Sequence, residues 1–559
     1  MEPAQSRCQE EEEIHMVANG ELQRSGVLTL CLPFLDEKDP LLSEKKSLLH
    51  ARNLDFKYQF LLSSPREQLL QLLDQIIQAA RILHLNDVEI YFIEDDDVGP
   101  FSTVNELKSL HSILEIFNCV DLGVNYNEIE AFNELLNATI ARINSVAHQS
   151  TNKIITEEID TTAEELLLKC WQSQGARSKV KIAHFEGAGR GAVALEDINI
   201  GEVALEIPES IIISEDLLYK SDMFKVLEEW KGMTIDSMLL LWCMKERYNL
   251  NSNFKDYFRT LPSVFKTGLS FGVDALTVLH GTLVLEELLL AKEHLRQQYE
   301  SLCPALCASY PDIFQPELYT WDHYLWACEL WYSNGMKVIF SDGKLRTCLV
   351  PIAGLLNHSL WPHIINYGRV DSETKSLKFQ VARQCKRGEQ CYLSYGSLPG
   401  SHLVTFYGFL PNGDNPYDII PLDFETPEAN NSQSLTIETS KMNHMVRGTW
   451  FSRSSKPYSY GLPPLLMNHL RSVLASGNVG YLSLHPQEDV SVENERALLE
   501  TLMSIFEPMM EVLQDSDDLN CEDLSWDVKL ALDYKDLQRR IISSVLSSCA
   551  TGLETLSCA

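Results

Sequence analysis

The chain has 559 residues, 45% of them hydrophobic and 22% charged, with a formal net charge of −33. That length and balance describe a globular protein of two to four domains. A field this acidic repels phosphate backbones and favours basic protein segments, which argues against direct nucleic-acid binding.

No run of 18 apolar residues reads as a membrane span. The acidic run Glu10–Glu13 fits neither a transit peptide nor a secretory signal, so the expected compartment is the cytoplasm, with the nucleus as a second. The 14 cysteines are scattered without paired metal-ligand spacing. Cys303 and Cys307 have no second pair, so no metal site is expected and the pattern suits a reducing compartment.

Residues 1–55 are mixed and charged and read as a mobile N-terminus. A helical N-terminal region follows over 56–165. Its first helix starts at Ser64-Pro65-Arg66-Glu67, where Ser64 can cap and Glu67 can close a capping box. Leu69, Leu72, Leu73, Ile76, Ala80 and Leu83 then share one face. A second helix carries Leu107, Leu110, Leu114 and Phe117, and a third Ile129, Phe132, Leu136, Ile140 and Ile143. Such stripes are usually core. The acidic run Glu94–Asp97 reads as a solvated loop.

From Lys179 to Pro208 the pattern turns to short β-like runs broken by glycine, with Val193, Leu195, Val203, Leu205 and Ile207 at alternating apolar positions. Residues 215–335 return to helix and 345–395 to strand. Residues 420–545 combine a short β-like entry with long helices, and Leu498, Leu502, Ile505 and Phe506 mark one helical face.

The chemistry lies in a series of short motifs. Glu186-Gly187-Ala188-Gly189-Arg190-Gly191 is a glycine-rich turn whose backbone can approach a ligand closely. No Lys-Ser/Thr follows it, which argues against a phosphate loop. Asn357-His358 follows the apolar run Leu349–Leu356, where a histidine is more often a satisfied core residue. Then come Gly388-Glu389-Gln390 with Tyr392 and Tyr395, and Tyr407-Gly408-Phe409. In this order the series resembles the SET-domain protein methyltransferases, in the branch typified by the Rubisco large-subunit lysine methyltransferases. Phe258-Arg259-Thr260-Leu261-Pro262, Leu279-His280-Gly281-Thr282 and Leu462-Pro463-Pro464-Leu465-Leu466 extend the resemblance over roughly residues 178–545.

The resemblance implies an α+β chain: a β-rich SET fold with a pseudoknot over 178–415, a helical insert at about 215–335, and a helical substrate-binding-type lobe over 420–545. It implies methyl transfer from S-adenosyl-L-methionine to a protein, lysine being the leading acceptor and histidine the other, with no metal. Glu186, Gly187, Ala188 and Gly189 would line the methionine end of the cofactor. Asn357 would hold its amino-acid end and the His358 backbone its adenine. Tyr395 would be catalytic and also touch the cofactor, with Tyr407 and Phe409 closing the channel.

The chain departs from the family at three places: Gly354 replaces an expected Asp, Ser333-Asn334 an expected Ser-Arg, and Pro399-Gly400 an expected Ser-Asn. Gly354 therefore favours a second reading, a SET-like binding module with little or no transferase activity. A third, a scaffold acting through its N-terminal helices, has less to support it.

Overall fold

The computed structural model describes residues 19–22, 27–33, 37–94, 97–120, 126–146, 162–423, 444–477, 491–514 and 524–558. They divide into two compact units, one of Met1–Ile90 with Val98–Ala147 and one of Tyr91–Asp97 with His148–Ala559.

In the first unit, strands Asn19–Leu22, Val27–Cys31 and Lys57–Leu61 form an antiparallel sheet in that order, with helix Leu42–Ala51 in the second connection. Leu28, Leu30 and Phe60 are fully buried. Residues 27–33 and 37–55 are thus folded rather than part of the mobile stretch expected. The strands are five residues or shorter and sit among charged residues, so their alternation is too brief to stand out.

The three amphipathic helices span Arg66–Leu83, Thr103–Asn118 and Tyr126–Ser145. The capping box at the first does not form: Pro65 is the N-cap and no side chain bonds there. Ser102 caps the second helix instead, accepting from the Asn105 N–H at 3.0 Å. Asp95 and Asp96 of the acidic run lie outside the described residues.

The second unit contains helix Thr162–Ser173, which straddles the expected boundary at 165. Its Trp171 is buried against Phe254, ring centroids 6.2 Å apart. Strands Val180–Phe185 and Gly189–Ala194 form a hairpin, and a four-stranded sheet runs Val370–Asp371, Ser376–Gln380, Val203–Pro208, Arg177–Ser178. One hydrophobic core joins these strands to the helices of the insert through Leu205, Ile207, Leu239, Trp242, Tyr324 and Phe379. Glu329 is buried within the insert, where burial pushes its carboxyl up while the Ser270 and Thr267 hydroxyls donate to it at 2.6 and 2.7 Å.

A loop leaves hairpin Gly335–Ile339/Leu345–Leu349 and crosses the segment that ends at Tyr395. Leu393 N–H donates to Asn357 O at 2.8 Å, and Ser394 N–H to Ile364 O at 2.9 Å. Segment 392–394 is thus bonded to two parts of one loop, a contact that the pseudoknot implied by the SET resemblance requires. Ile352, just ahead of that loop's 3-10 turn Ala353–Leu355, is buried with φ of +69°, a strained conformation for a β-branched residue.

Strands Ile419–Leu422 and His444–Arg447 pair ahead of helices Pro464–Gly477, Val492–Gln514 and Trp526–Cys558. Leu498, Leu502 and Phe506 are buried in this lobe's own core, while Ile505 is only partly covered. The last helix continues past the expected end at 545. By length and composition it could cross a membrane, which the composition reading did not anticipate. Its Ile541, Ile542, Val545 and Cys549 are nevertheless packed in the lobe's core.

Candidate active site

Every residue of the site lies in the second unit. The turn Glu186-Gly187-Ala188 closes the Val180–Ala194 hairpin, with Phe185 paired to Gly189. Gly187 and Gly189 have φ of +74° and +64°, the left-handed region that glycine enters at no steric cost. Space is open beside both: a Cβ at either would meet nothing within 4 Å. Glu186 stands exposed at the tip, with no hydrogen bond to the other site residues among those described.

Behind the turn, Arg190 is anchored by an ion pair to the buried Glu164 at 3.1 Å and by a bond to the Thr260 carbonyl. Its own carbonyl accepts from Asn357 Nδ2 at 2.8 Å, which ties the glycine-rich hairpin to the Asn357-His358 loop across 167 residues of sequence.

Tyr395 meets the same loop. Its hydroxyl donates to the Leu356 carbonyl at 2.8 Å, and its N–H to His358 Nδ1 at 3.1 Å. Its ring lies 5.1 Å from Tyr407 in a stacked pair, 5.2 Å from His358 and 6.4 Å from Phe409 in an edge contact. Gly408, at φ +76°, turns the chain between Tyr407 and Phe409 where any Cβ would strike the Lys266 carbonyl.

Of the expected site residues, Asn357, His358, Tyr395, Tyr407 and Phe409 form one cluster, and the hairpin turn is tied to it through Arg190. Burial pushes the Tyr395 phenol well above its ordinary range, helped by Tyr407 and Tyr367. Burial also holds the His358 imidazole down to about 4, so it is neutral at physiological pH.

Tyr367 and Gln390 were not singled out from the sequence. Tyr367 donates to Ser394 O at 2.8 Å beside the cluster, and its phenol is pushed up to about 12 by burial. An aromatic in an aperiodic loop leaves no signal. Gln390 stands inside a motif that was read for its spacing alone.

Asn334 and Gly354, far apart in sequence, touch: a Cβ on Gly354 would lie 2.8 Å from Asn334 Oδ1. The two departures from the family are one local arrangement.

Although the cysteine spacing carries no metal pattern, His363, Cys385 and Cys391 present ligand atoms within 4.8 Å of one another. His363 Nδ1 accepts from Tyr392 N–H at 3.1 Å, so Nε2 carries the proton and donates to Glu389 at 3.1 Å. In this arrangement the imidazole has no lone pair to spare. Burial alone would push the Glu389 carboxyl up, but His363, Lys386 N–H and Arg383 hold it down to about 2.

Comparison with known proteins agrees with this layout. Residues 189–396 match the SET domain family. The chain is 25% identical over 374 residues to the chloroplastic ribulose-1,5 bisphosphate carboxylase/oxygenase large subunit N-methyltransferase of Pisum sativum, covering 63% of this chain and 74% of that protein. It is 26% identical over 256 residues to the actin-histidine N-methyltransferase of Gallus gallus, covering 44% of this chain and 42% of that one, less than half its length. Among solved structures, the fold superposes on the SET domain of LSMT bound to lysine and AdoHcy with a TM-score of 0.52 at 20% identity, over 71% of this chain and 92% of that one.

Proposed function

From a chain that carries a SET domain over residues 189–396, we propose that it is an S-adenosylmethionine-dependent protein methyltransferase acting on a lysine of a non-histone protein. The observation that carries the reading is the convergence of Asn357, His358, Tyr395, Tyr407 and Phe409 beside the open glycine turn.

The residues fit the cofactor. Gly187 and Gly189 leave room along the backbone, Asn357 is positioned by Arg190 O, and a buried amide on Gln390 lies unpaired next to it. We assign Glu186, the 187–189 backbone, Asn357, His358, Tyr407 and Phe409 to holding it. When bound, the cofactor supplies an electrophilic methyl group on a sulfonium.

The protein's own part is alignment and proton control. Tyr395 gives its only hydroxyl proton to the Leu356 carbonyl, which leaves the oxygen lone pairs for polarised C–H or amine N–H groups. An amine entering among these rings loses hydration, which favours its neutral, nucleophilic form. Neutral His358 adds no opposing charge.

A fructose-bisphosphate aldolase-lysine N-methyltransferase and an actin-histidine N-methyltransferase both resemble this chain. Lysine is preferred because the match to the lysine N-methyltransferase runs over 306 residues and that to the histidine N-methyltransferase over 256. The net charge of −33 suits a substrate with a basic segment, and the cytoplasm, with the nucleus second, is the proposed compartment. One observation favours the binding-module reading instead: Asn334 fills the space beside Gly354 with a neutral amide.

Calorimetric titration with S-adenosylmethionine, followed by labelling of a lysate with radioactive methyl donor and mass spectrometry of the acceptor, tests the proposal. Binding plus a methyl-lysine product is expected. No binding at millimolar cofactor and no labelled protein would replace the enzyme with the binding module.

A further inference from the structure

Gln390 is 3% exposed, and neither Oε1 nor Nε2 has a hydrogen-bond partner. A buried amide is rarely left in that state. Its backbone is not free to move away. Gln390 bridges to Val193 of the hairpin, and on either side Glu389 O accepts from Ala194 N–H at 2.9 Å and Cys391 N–H donates to Ala192 O at 2.8 Å.

The side chain reaches the space above Gly191. A Cβ placed on Gly191 would strike Gln390 Nε2 and would lie 2.9 Å from Asn357 Nδ2. The two amide nitrogens therefore face the same bare side of Gly191, no more than 5.2 Å apart. A half-turn of the Gln390 amide exchanges its oxygen and nitrogen without changing its shape, and places Oε1 on the side of Gly191 where Asn357 Nδ2 lies.

The hydrogen count then decides the polarity of the site. Asn357 Nδ2 has two N–H groups, and one already goes to Arg190 O at 2.8 Å. If the second goes to Gln390 Oε1, both donors of Asn357 are spent inside the protein. What remains is Oδ1, a pure acceptor.

We propose that Gln390 is a positioning residue which takes the second N–H of Asn357, fixing Oδ1 toward the cleft so that the site selects a ligand bearing a protonated primary amine. This rests on the methyltransferase reading, in which that amine is the ammonium of the cofactor's amino-acid end. A ligand with the same nucleoside and carboxylate but no amine loses the interaction.

Calorimetry on the full chain tests this with two ligands, S-adenosylhomocysteine and its counterpart whose α-amino group is replaced by hydrogen. Wild type is expected to prefer the amine-bearing ligand by about tenfold or more, the scale of one charge-assisted hydrogen bond. Gln390→Met, similar in volume but without the amide oxygen, should cut that preference to within about threefold while the Kd of the amine-free ligand moves less than about twofold. Gln390→Glu keeps an acceptor and should keep the preference.

Equal weakening of both ligands in Gln390→Met would overturn the proposal and leave Gln390 a packing residue. So would a wild type with no preference. If thermal melts show that Gln390→Met does not fold, Gln390→Glu decides alone: a retained or increased preference supports the role and a lost one ends it. A wild type that binds neither ligand removes the methyltransferase reading itself, and this inference with it.

Discussion

Tyr395 is held in one orientation by what it has already bonded. Its proton is committed to Leu356 O, and its ring is gripped by His358, Tyr407 and Phe409. Tyr395→Phe keeps the ring and deletes the oxygen, at a stability cost of about 0.5–1.5 kcal/mol for the lost bond. On the proposed function, turnover is expected to fall by about one to two orders of magnitude, because the oxygen would act where charge shifts in the transition state, while the cofactor Kd stays within about threefold. Single-turnover kinetics beside a binding titration checks both halves.

At Gly354 the packing around the backbone changes the expectation drawn from the sequence. Read against the family, restoring Asp at 354 should tighten cofactor binding. With Asn334 Oδ1 2.8 Å from the incoming Cβ, Gly354→Asp by itself is expected to weaken binding or leave it unchanged. Adding Asn334→Ala should recover at least part of the loss. A double-mutant cycle on cofactor Kd measures the coupling, about 0.5–3 kcal/mol for residues in contact. Simple additivity would mean that the two side chains do not compete. The order and spacing of Asn357, His358 and Tyr395 were legible in the sequence. The contact of Asn334 with Gly354 was not, because nothing local in a chain marks which distant residue fills a glycine's empty side.

At the scale of elements, long periodic helices were legible and short strands were not. The Leu69–Leu83 stripe repeats over about four turns, whereas Val27–Cys31 has five residues in which to show a period of two. The connection after Tyr395 was also unreadable, and it contains a buried charge. Asp418 Oδ1 accepts from Gly400 N–H at 2.6 Å and from Asn415 Nδ2 at 3.1 Å. Burial nevertheless pushes its carboxyl up to about 6 from 3.8. Between those values the folded state binds more protons than the unfolded one, so this group's contribution to stability falls as pH rises through the window. His358 works in the opposite sense: held at about 4 against 6.5, it contributes stability that is present above 6.5 and lost as pH falls toward 4. Asp418→Asn keeps an oxygen for Gly400 and removes the titration. Compared with wild type it should gain up to about 3 kcal/mol at pH 7.5 and little near pH 4. Urea midpoints at the two pH values measure it, and a gain that did not depend on pH would mean that Asp418 is not the group responsible.

For the whole second unit, the question is whether the C-terminal lobe can be removed from the SET fold. The sequence suggests a separable substrate lobe beginning near 420, whose deletion should spare cofactor binding. The packing argues otherwise. Val528, Leu530, Ala531 and Tyr534 of the last helix share a core with Phe271, Ala275, Val278, Leu279 and Leu288 of the insert. Asp527 Oδ2 accepts from Gly272 N–H at 2.9 Å, and Gly281 leaves no room for a Cβ because Val512 lies 2.5 Å from that position. Val404, four residues before Gly408 in the turn that carries Tyr407, belongs to the same core. Exposing each large apolar side chain costs about 1.5–3 kcal/mol. The insert would uncover at least Phe271, Val278, Leu279 and Leu288, a loss comparable to the about 5–15 kcal/mol that stabilises a typical domain. Deleting residues 420–559 is therefore expected to abolish S-adenosylmethionine binding along with folding, seen as loss of both the calorimetric signal and the cooperative melt. Tyr534→Ala in the full chain should lower the melting temperature and weaken cofactor binding together, since Val404 links that core to the Tyr407 turn. A truncated protein that melts cooperatively and binds cofactor with unchanged affinity would show that the shared core is dispensable and restore the separable lobe.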